Sequence, residues 1–172
     1  MKLETDRLVI KNYTENEFPF LNSMLTNPRM MKYIGDGKIK NHDQSKAFFE
    51  RILSGSYEGS IYGLKLIMKK DELQPIGHAG LVKQVVDDRE EVEVGFWIDE
   101  TYWNEGYAKE VAKSLKVYAF EELNISRLIS IIQPENKASS KVAEFIGMKL
   151  EKNCEFNGQG VNIYSVNKSQ RT

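Results

Sequence analysis

The residues best suited to chemistry lie in one run, Glu93-Val94-Gly95-Phe96-Trp97-Ile98-Asp99-Glu100-Thr101-Tyr102-Trp103-Asn104-Glu105-Gly106-Tyr107-Ala108-Lys109-Glu110. A strand pattern ends at Ile98, a short loop carries Gly106, and a helical pattern begins at once. A helix start presents backbone N–H groups with no intrahelical acceptor, and the positive end of the helix dipole falls on the same spot. Such a place binds anions, and a diphosphate is its natural occupant. Gly106 lets the backbone approach a ligand closely, and Ala108 keeps the surface flat. Asn104 is among the few non-glycine residues that tolerate a left-handed conformation. The competing reading is an ordinary loop glycine before a helix. Two other phosphate loops are excluded, because the chain has neither a Gly-Lys-Ser/Thr loop nor a G-x-G-x-x-G fingerprint.

The elements that must hold this run follow from the rest of the chain. With 172 residues, 41% of them hydrophobic and 28% charged, the chain is long enough for one domain with a core that needs no staples. The expectation is a single domain over residues 1–172. A net charge of -1 argues against a nucleic-acid or anionic-membrane binder, which carries a basic excess. Cys154 is the sole cysteine, so there is no intramolecular disulfide and no multi-cysteine zinc site. It reads as a half-buried strand residue, and no metal is expected. The N-terminus is charged where a signal peptide needs an apolar run. No stretch approaches the roughly 18 apolar residues of a membrane helix. The default is a cytoplasmic protein.

Leu3 to Lys11 reads as a first strand. Thr14 and Glu17 have capping-box spacing, so a helix should run from about Glu15 to Leu25, stopped by Asn27-Pro28. A second helix is expected over His42 to Ser54. Strands follow over Ile61–Lys69, Pro75–Val85 and Glu91–Ile98, close enough for an antiparallel meander. Val111, Ala112, Leu115, Tyr118 and Ala119 then recur at helical spacing, giving a helix from Gly106 to Leu123. Ile125 to Ile132 is an apolar strand, Ser139 to Ile146 a short helix. Lys149–Phe156 and Val161–Val166 form a last hairpin turning at Asn157-Gly158. The sum is a mixed α/β (α+β) domain, with a largely antiparallel sheet of about seven strands flanked by four helices.

This order of elements, with five short motifs, resembles the GNAT acetyltransferase superfamily, and within it the ribosomal-protein N-terminal acetyltransferase (RimJ/RimL-like) branch. The motifs are Glu4-Thr5-Asp6-Arg7-Leu8, Ile76-Gly77-His78-Ala79-Gly80, the run Glu93 to Ile98 with Tyr102 to Ala108, Asn136-Lys137-Ala138-Ser139-Ser140, and Ile146-Gly147-Met148. They span nearly the whole chain in order. The resemblance implies the acyl-CoA N-acyltransferase fold, acetyl-CoA as co-substrate, and direct transfer of its acetyl group to a primary amine in a ternary complex. The amine would be a protein N-terminus or a small amine, and the protein a monomer or homodimer. The alternative is a non-catalytic acyl-CoA-binding regulatory module.

Carried over residue by residue, the resemblance implies that Phe96, Trp97 and Ile98 splay from the next strand and offer backbone groups to the pantetheine arm. Trp103, Asn104, Glu105, Gly106, Tyr107 and Ala108 fill the pyrophosphate loop. Lys109 follows in the first helical turn, either near the diphosphate or as a solvated lysine. Asn136 and Ser139 lie beside the thioester. Asn104 and Glu105 stand where glycine and a basic residue are usual, and a carboxylate there must point to solvent. Ala143 stands where many relatives carry a tyrosine that protonates the thiolate. Glu93 is the candidate general base, against the reading of an exposed strand glutamate. Ser139 is the candidate acid, against that of a helix N-cap, which serine favours. His78 is a strand histidine with a structural or proton-relay role. Tyr33, Phe48 and Phe49 are equally well explained by an acceptor site or by the core.

Overall fold

The computed structural model describes residues 2–55 and 60–169. Its centre is an eight-stranded sheet in the order β1-β2-β3-β4-β5-β6-β8-β7. The strands are β1 Leu3–Glu4, β2 Leu8–Lys11, β3 Gly63–Lys69, β4 Pro75–Val86, β5 Arg89–Ile98, β6 Arg127–Ile132, β7 Lys149–Phe156 and β8 Gln159–Asn167. All neighbours run antiparallel except β5 and β6. A parallel pair needs a crossover, and helix α4 (Tyr107–Val117) lies in that connection. The largely antiparallel α/β architecture expected from sequence is therefore present, with eight strands in place of seven and five α-helices in place of four among the described residues.

The extra strand arises because Leu3 to Lys11 is a hairpin. Leu3 pairs with Ile10 and Glu4 with Val9. Thr5 turns the chain, its amide bonding the Leu8 carbonyl and its hydroxyl receiving the Leu8 amide. The extra helix, α2 (Pro28–Met31), starts where α1 (Phe18–Leu25) has ended. Asn27 and Pro28 do stop α1. Yet Asn27 then caps the Arg29 amide, and proline suits a first helical position.

Other boundaries follow local chemistry. The Thr14–Glu17 capping box forms as expected, over a 3-10 turn at Glu15–Glu17. Helix α3 (His42–Gly55) begins on a reciprocal pair, Asn41 and Gln44 each receiving the other's amide. Helix α4 widens into a π-helical turn at Tyr118–Glu122. Helix α5 (Lys137–Phe145) starts two residues before Ser139, because Asn136 is its N-cap.

Helices cover both faces of the sheet. On one face Leu21, Met24, Leu25, Met30 and Met31 of the first two helices pack with Phe49 and Ile52 of α3 against Leu66. On the other, Val111, Ala112 and Leu115 of α4 and Val142 and Ala143 of α5 pack on Ile67, Leu81, Val94 and Leu128. Burying each large side chain contributes about 1.5–3 kcal/mol, so these two layers fix the strand ends that carry the site. Gly77 and Gly80 have a packing reason. A Cβ at Gly77 would collide with the Trp97 carbonyl, and one at Gly80 with the Gly63 carbonyl. No helix among the described residues is long and apolar enough to cross a membrane.

Candidate active site

The β5–α4 connection makes the first half of the candidate site. After Ile98 the chain makes a short 3-10 turn, Glu100–Tyr102, capped by Asp99, whose carboxylate receives the Thr101 amide. Trp103 folds back so that its indole N–H bonds the Ile98 carbonyl at 2.7 Å, which tethers the loop to the strand end. Asn104 is left-handed with φ 63°, and Gly106 with φ 83°. Gly106 is the N-cap of α4 and has no side chain to cap it. Glu110 is the first residue whose amide returns to the Gly106 carbonyl, so the first-turn amides of Tyr107, Ala108 and Lys109 remain for an outside acceptor. An uncapped α4 start behind a left-handed glycine fits a diphosphate. Glu105 is exposed, as its carboxylate must be there. Lys109 leans toward α5, its ammonium 5.2 Å from the Phe145 ring centre.

The second half begins where β5 and β6 part. The two strands pair only at Glu93 and Ile129, and beyond that point the sheet opens. Within the gap lies a cavity of about 270 Å³, bordered by Glu93, Phe96 and Trp97 of β5, Asn136 and Ser139 of α5, and His78 and Gln84 of β4. Tyr33, Ile34 and Phe48 close it from the side of the first helices. Gln133 donates to the Gly35 carbonyl at 2.7 Å and so holds the Tyr33–Ile34 segment over the opening. A larger groove of about 620 Å³ runs along the far ends of β4, β5 and β6. Its half-buried arginine is already committed, Arg127 bonding Glu91 at 3.0 Å and Glu151 at 2.7 Å. The smaller cavity carries the candidate chemistry.

A carboxyl and an imidazole face it from the sheet. Burial pushes the Glu93 carboxyl above its ordinary value, partly opposed by hydrogen bonds from the Gln84 side chain (2.8 Å) and the Ile131 amide. A carboxylate so placed is a better base than an exposed one. Burial also pushes His78 down to about 3, so its ring is neutral. Its Nδ1 bonds the Tyr13 hydroxyl at 2.9 Å and its ring lies 5.0 Å from that of Trp97. Tyr13 is buried too, which raises its hydroxyl.

The sequence-derived residues sort cleanly by position. Phe96, Trp97, Asn136, Ser139 and Glu93 all border the cavity. Glu93 is not the exposed strand residue of the competing reading. Ser139 is not an N-cap either: Asn136 holds that position and its Oδ1 receives the Ser139 amide at 3.2 Å. Ile98 is buried in the α4-side core, and the Trp103 indole points to the strand end. Ala143 is wholly buried in the same core. Tyr33 and Phe48 border the cavity, whereas Phe49 packs edge-on to Tyr13 at 5.9 Å in the core. Sequence reasoning does not single out Gln84 or Gln133, which also border the cavity. Only the period-2 register of β4 against β5, Val82 opposite Glu93, could have signalled Gln84.

Comparison with known proteins accounts for this architecture. Residues 7–149 match the acetyltransferase (GNAT) domain family. The chain is 30% identical over 151 residues to the uncharacterized N-acetyltransferase YnaD of Bacillus subtilis, covering 88% of this chain and 84% of that one. An acetyltransferase of the GNAT family from Bacillus anthracis superposes with a TM-score of 0.81 at 24% identity, over 97% of this chain and 98% of that one. RimL, the ribosomal L7/L12 alpha-N-protein acetyltransferase in complex with coenzyme A, superposes with a TM-score of 0.76 at 17% identity, over 97% and 98%. The chain belongs to the GNAT acetyltransferase family. It is an acetyltransferase, and acetyl-CoA is its co-substrate.

Proposed function

We propose that this chain, as a single cytoplasmic domain, transfers the acetyl group directly, in a ternary complex, to the primary amine of an acceptor that is not a polycation. A protein N-terminus fits best, as in the RimJ/RimL-like branch. The observation that carries this reading is the lining of the cavity. Among the described residues Glu93 is the one carboxyl on its border, and the other described borders are aromatic, aliphatic or neutral polar groups. A polyamine or aminoglycoside buried there would leave several charges without partners, at a cost of several kcal/mol each. Cations instead flank the rings that close the cavity: Lys32 lies 5.1 Å from the Tyr33 ring, and Lys40 and Arg51 lie 5.8 and 5.6 Å from that of Phe48. Asp36, Asp43 and Glu50 share the same stretch, yet the basic residues outnumber them. An acceptor with an uncharged body and an acidic group further out suits this pattern.

Acetyl-CoA supplies an activated thioester carbonyl. The chain's residues do the rest. The amides at the start of α4 hold the diphosphate, and Phe96 to Ile98 present backbone groups to the pantetheine arm. Glu93, directly or through water, accepts the proton that the acceptor ammonium must lose before it can attack. The Ser139 hydroxyl donates to the departing thiolate, the part left open by Ala143. Holding both substrates in line contributes much of the acceleration, because the thioester needs little activation.

Thiol release across a panel of acceptors tests the reading. Peptides with a free N-terminus followed by acidic residues should turn over fastest, and acetylated peptides not at all. Spermidine or an aminoglycoside as the best acceptor would overturn it.

A further inference from the structure

Resting on the assignment of the α4 start as the diphosphate cradle, we infer that Arg7 is a positioning residue for acetyl-CoA, orienting the Glu105–Gly106 peptide so that the Gly106 N–H faces the diphosphate. Arg7 stands in the turn between β1 and β2, yet its guanidinium lies against the cradle. Its NH1 donates to the Glu105 carbonyl at 3.0 Å. Across a planar trans peptide the carbonyl and the next N–H point in opposite directions. Fixing the Glu105 oxygen on Arg7 therefore turns the Gly106 N–H away from Arg7, and no acceptor for that N–H occurs among the described residues.

Arg7 is itself held rigidly. Its Nε bonds Glu110 at 2.6 Å, and its own amide bonds the same carboxylate at 3.0 Å. The Thr5 hydroxyl adds a third bond to Glu110 at 2.5 Å. The guanidinium also stacks 4.3 Å from the centre of the Tyr107 ring. Glu110 is one turn into α4, so this clamp ties the β1–β2 hairpin to the helix whose start is the cradle. An arginine needed only to pin the hairpin would require Glu110 alone. The bond to Glu105 acts on the loop, and it explains why arginine and not lysine stands here: one fork reaches a carboxylate and a carbonyl together. The arrangement gives the motif Glu4-Thr5-Asp6-Arg7-Leu8, remote from the loop in sequence, a part in the donor site.

The test is Arg7→Lys and Arg7→Met, titrated by calorimetry with CoA and by NMR with S-acetylpantetheine, which lacks diphosphate and nucleotide. Lysine can keep a pairing with Glu110 but cannot reach Glu105 as well. Arg7→Lys should therefore melt near the wild-type temperature while its CoA affinity falls by roughly tenfold, the loss of one charge-assisted hydrogen bond's worth of alignment. Binding of S-acetylpantetheine should not change, and the Gly106 amide resonance should lose most of its CoA-induced shift. Arg7→Met should lower CoA affinity at least as far, with a lower melting temperature. Wild-type CoA affinity in Arg7→Lys would overturn the inference, as would equal losses for the two ligands. Failure of the wild-type protein itself to bind CoA would instead sink the cradle assignment beneath it.

Discussion

At the start of α4 the groups offered to a ligand are backbone amides, shaped by Gly106 and Asn104 and held by Arg7. Across β5, in the cavity, they are side chains: Glu93, Ser139, Trp97, Phe48 and Tyr33. The first kind of site depends on where the chain turns, and it tolerates wide change in the residues that flank the turn. Glu105 illustrates this, since its carboxylate is exposed while only its carbonyl takes part. The second kind depends on each side chain in turn. On the proposed reading, the donor is held by geometry and the acceptor is selected by composition.

The sharpest way to break this comparison is Gly106→Val. A β-branched residue at φ 83° is strongly disfavoured, and the new Cβ would meet the Arg7 NH2 at 3.4 Å. Acetyl-CoA affinity should fall by about a hundredfold or more, while a folded core should still be reported by circular dichroism. Normal binding in calorimetry would refute a backbone-made cradle.

Next comes Glu93→Gln, which should leave acetyl-CoA affinity alone and lower kcat by about a hundredfold. The pH profile carries the sign. Burial raises the Glu93 pKa, so the group is protonated and idle at low pH, and kcat/KM should climb with pH as it ionises. The variant should lose that rising limb. A profile unchanged by the substitution would remove Glu93 as base.

His78 probes how dry the acceptor wall is. Its ring titrates near 3 in the folded chain against 6.5 in the open one. The unfolded state therefore binds more protons between those values. The stability this group contributes is complete above about pH 6.5 and is lost as the pH falls toward 3. Urea midpoints measured across that window should fall more steeply for the wild-type protein than for His78→Gln. Parallel slopes would mean that His78 is hydrated.

The smallest effect is expected at the rim. Lys40→Glu with Arg51→Glu should raise KM for an acidic N-terminal peptide by roughly threefold to tenfold, in the range of exposed charge pairs, with the acetyl-CoA constant unmoved. A change in the donor constant instead would show that the two halves are not separable.

Much of the donor side is legible in the sequence, because turn chemistry is local: Asn104, Gly106 and the helical period after Tyr107 announce a strand, a turn and an uncapped helix. The acceptor side is not, since Tyr33, Phe48, Gln84 and Gln133 converge from four separate segments, and an aromatic at a helical spacing looks the same in a core as in a cavity. Phe48 and Phe49 are adjacent, yet one borders the cavity and the other the core. The fold is legible for the same reason as the cradle, except where a short polar turn, Thr5 to Arg7, splits a strand that apolar alternation alone would join. Arg7 was invisible as a site residue because its partners, Glu105 and Glu110, lie about a hundred positions away.

The sheet order β6-β8-β7 places the late strand β8 inside the sheet, with β7 outside it. During synthesis from the N-terminus, β6 can meet α4 and β5 early, but its other edge has no partner until residues 159–167 emerge. Until then Leu128, Ile129 and Ile132, all buried in the finished protein, sit on a strand with an open edge. Slowed translation through the last hairpin should therefore prolong the exposure of that edge and increase capture of the nascent chain by chaperones.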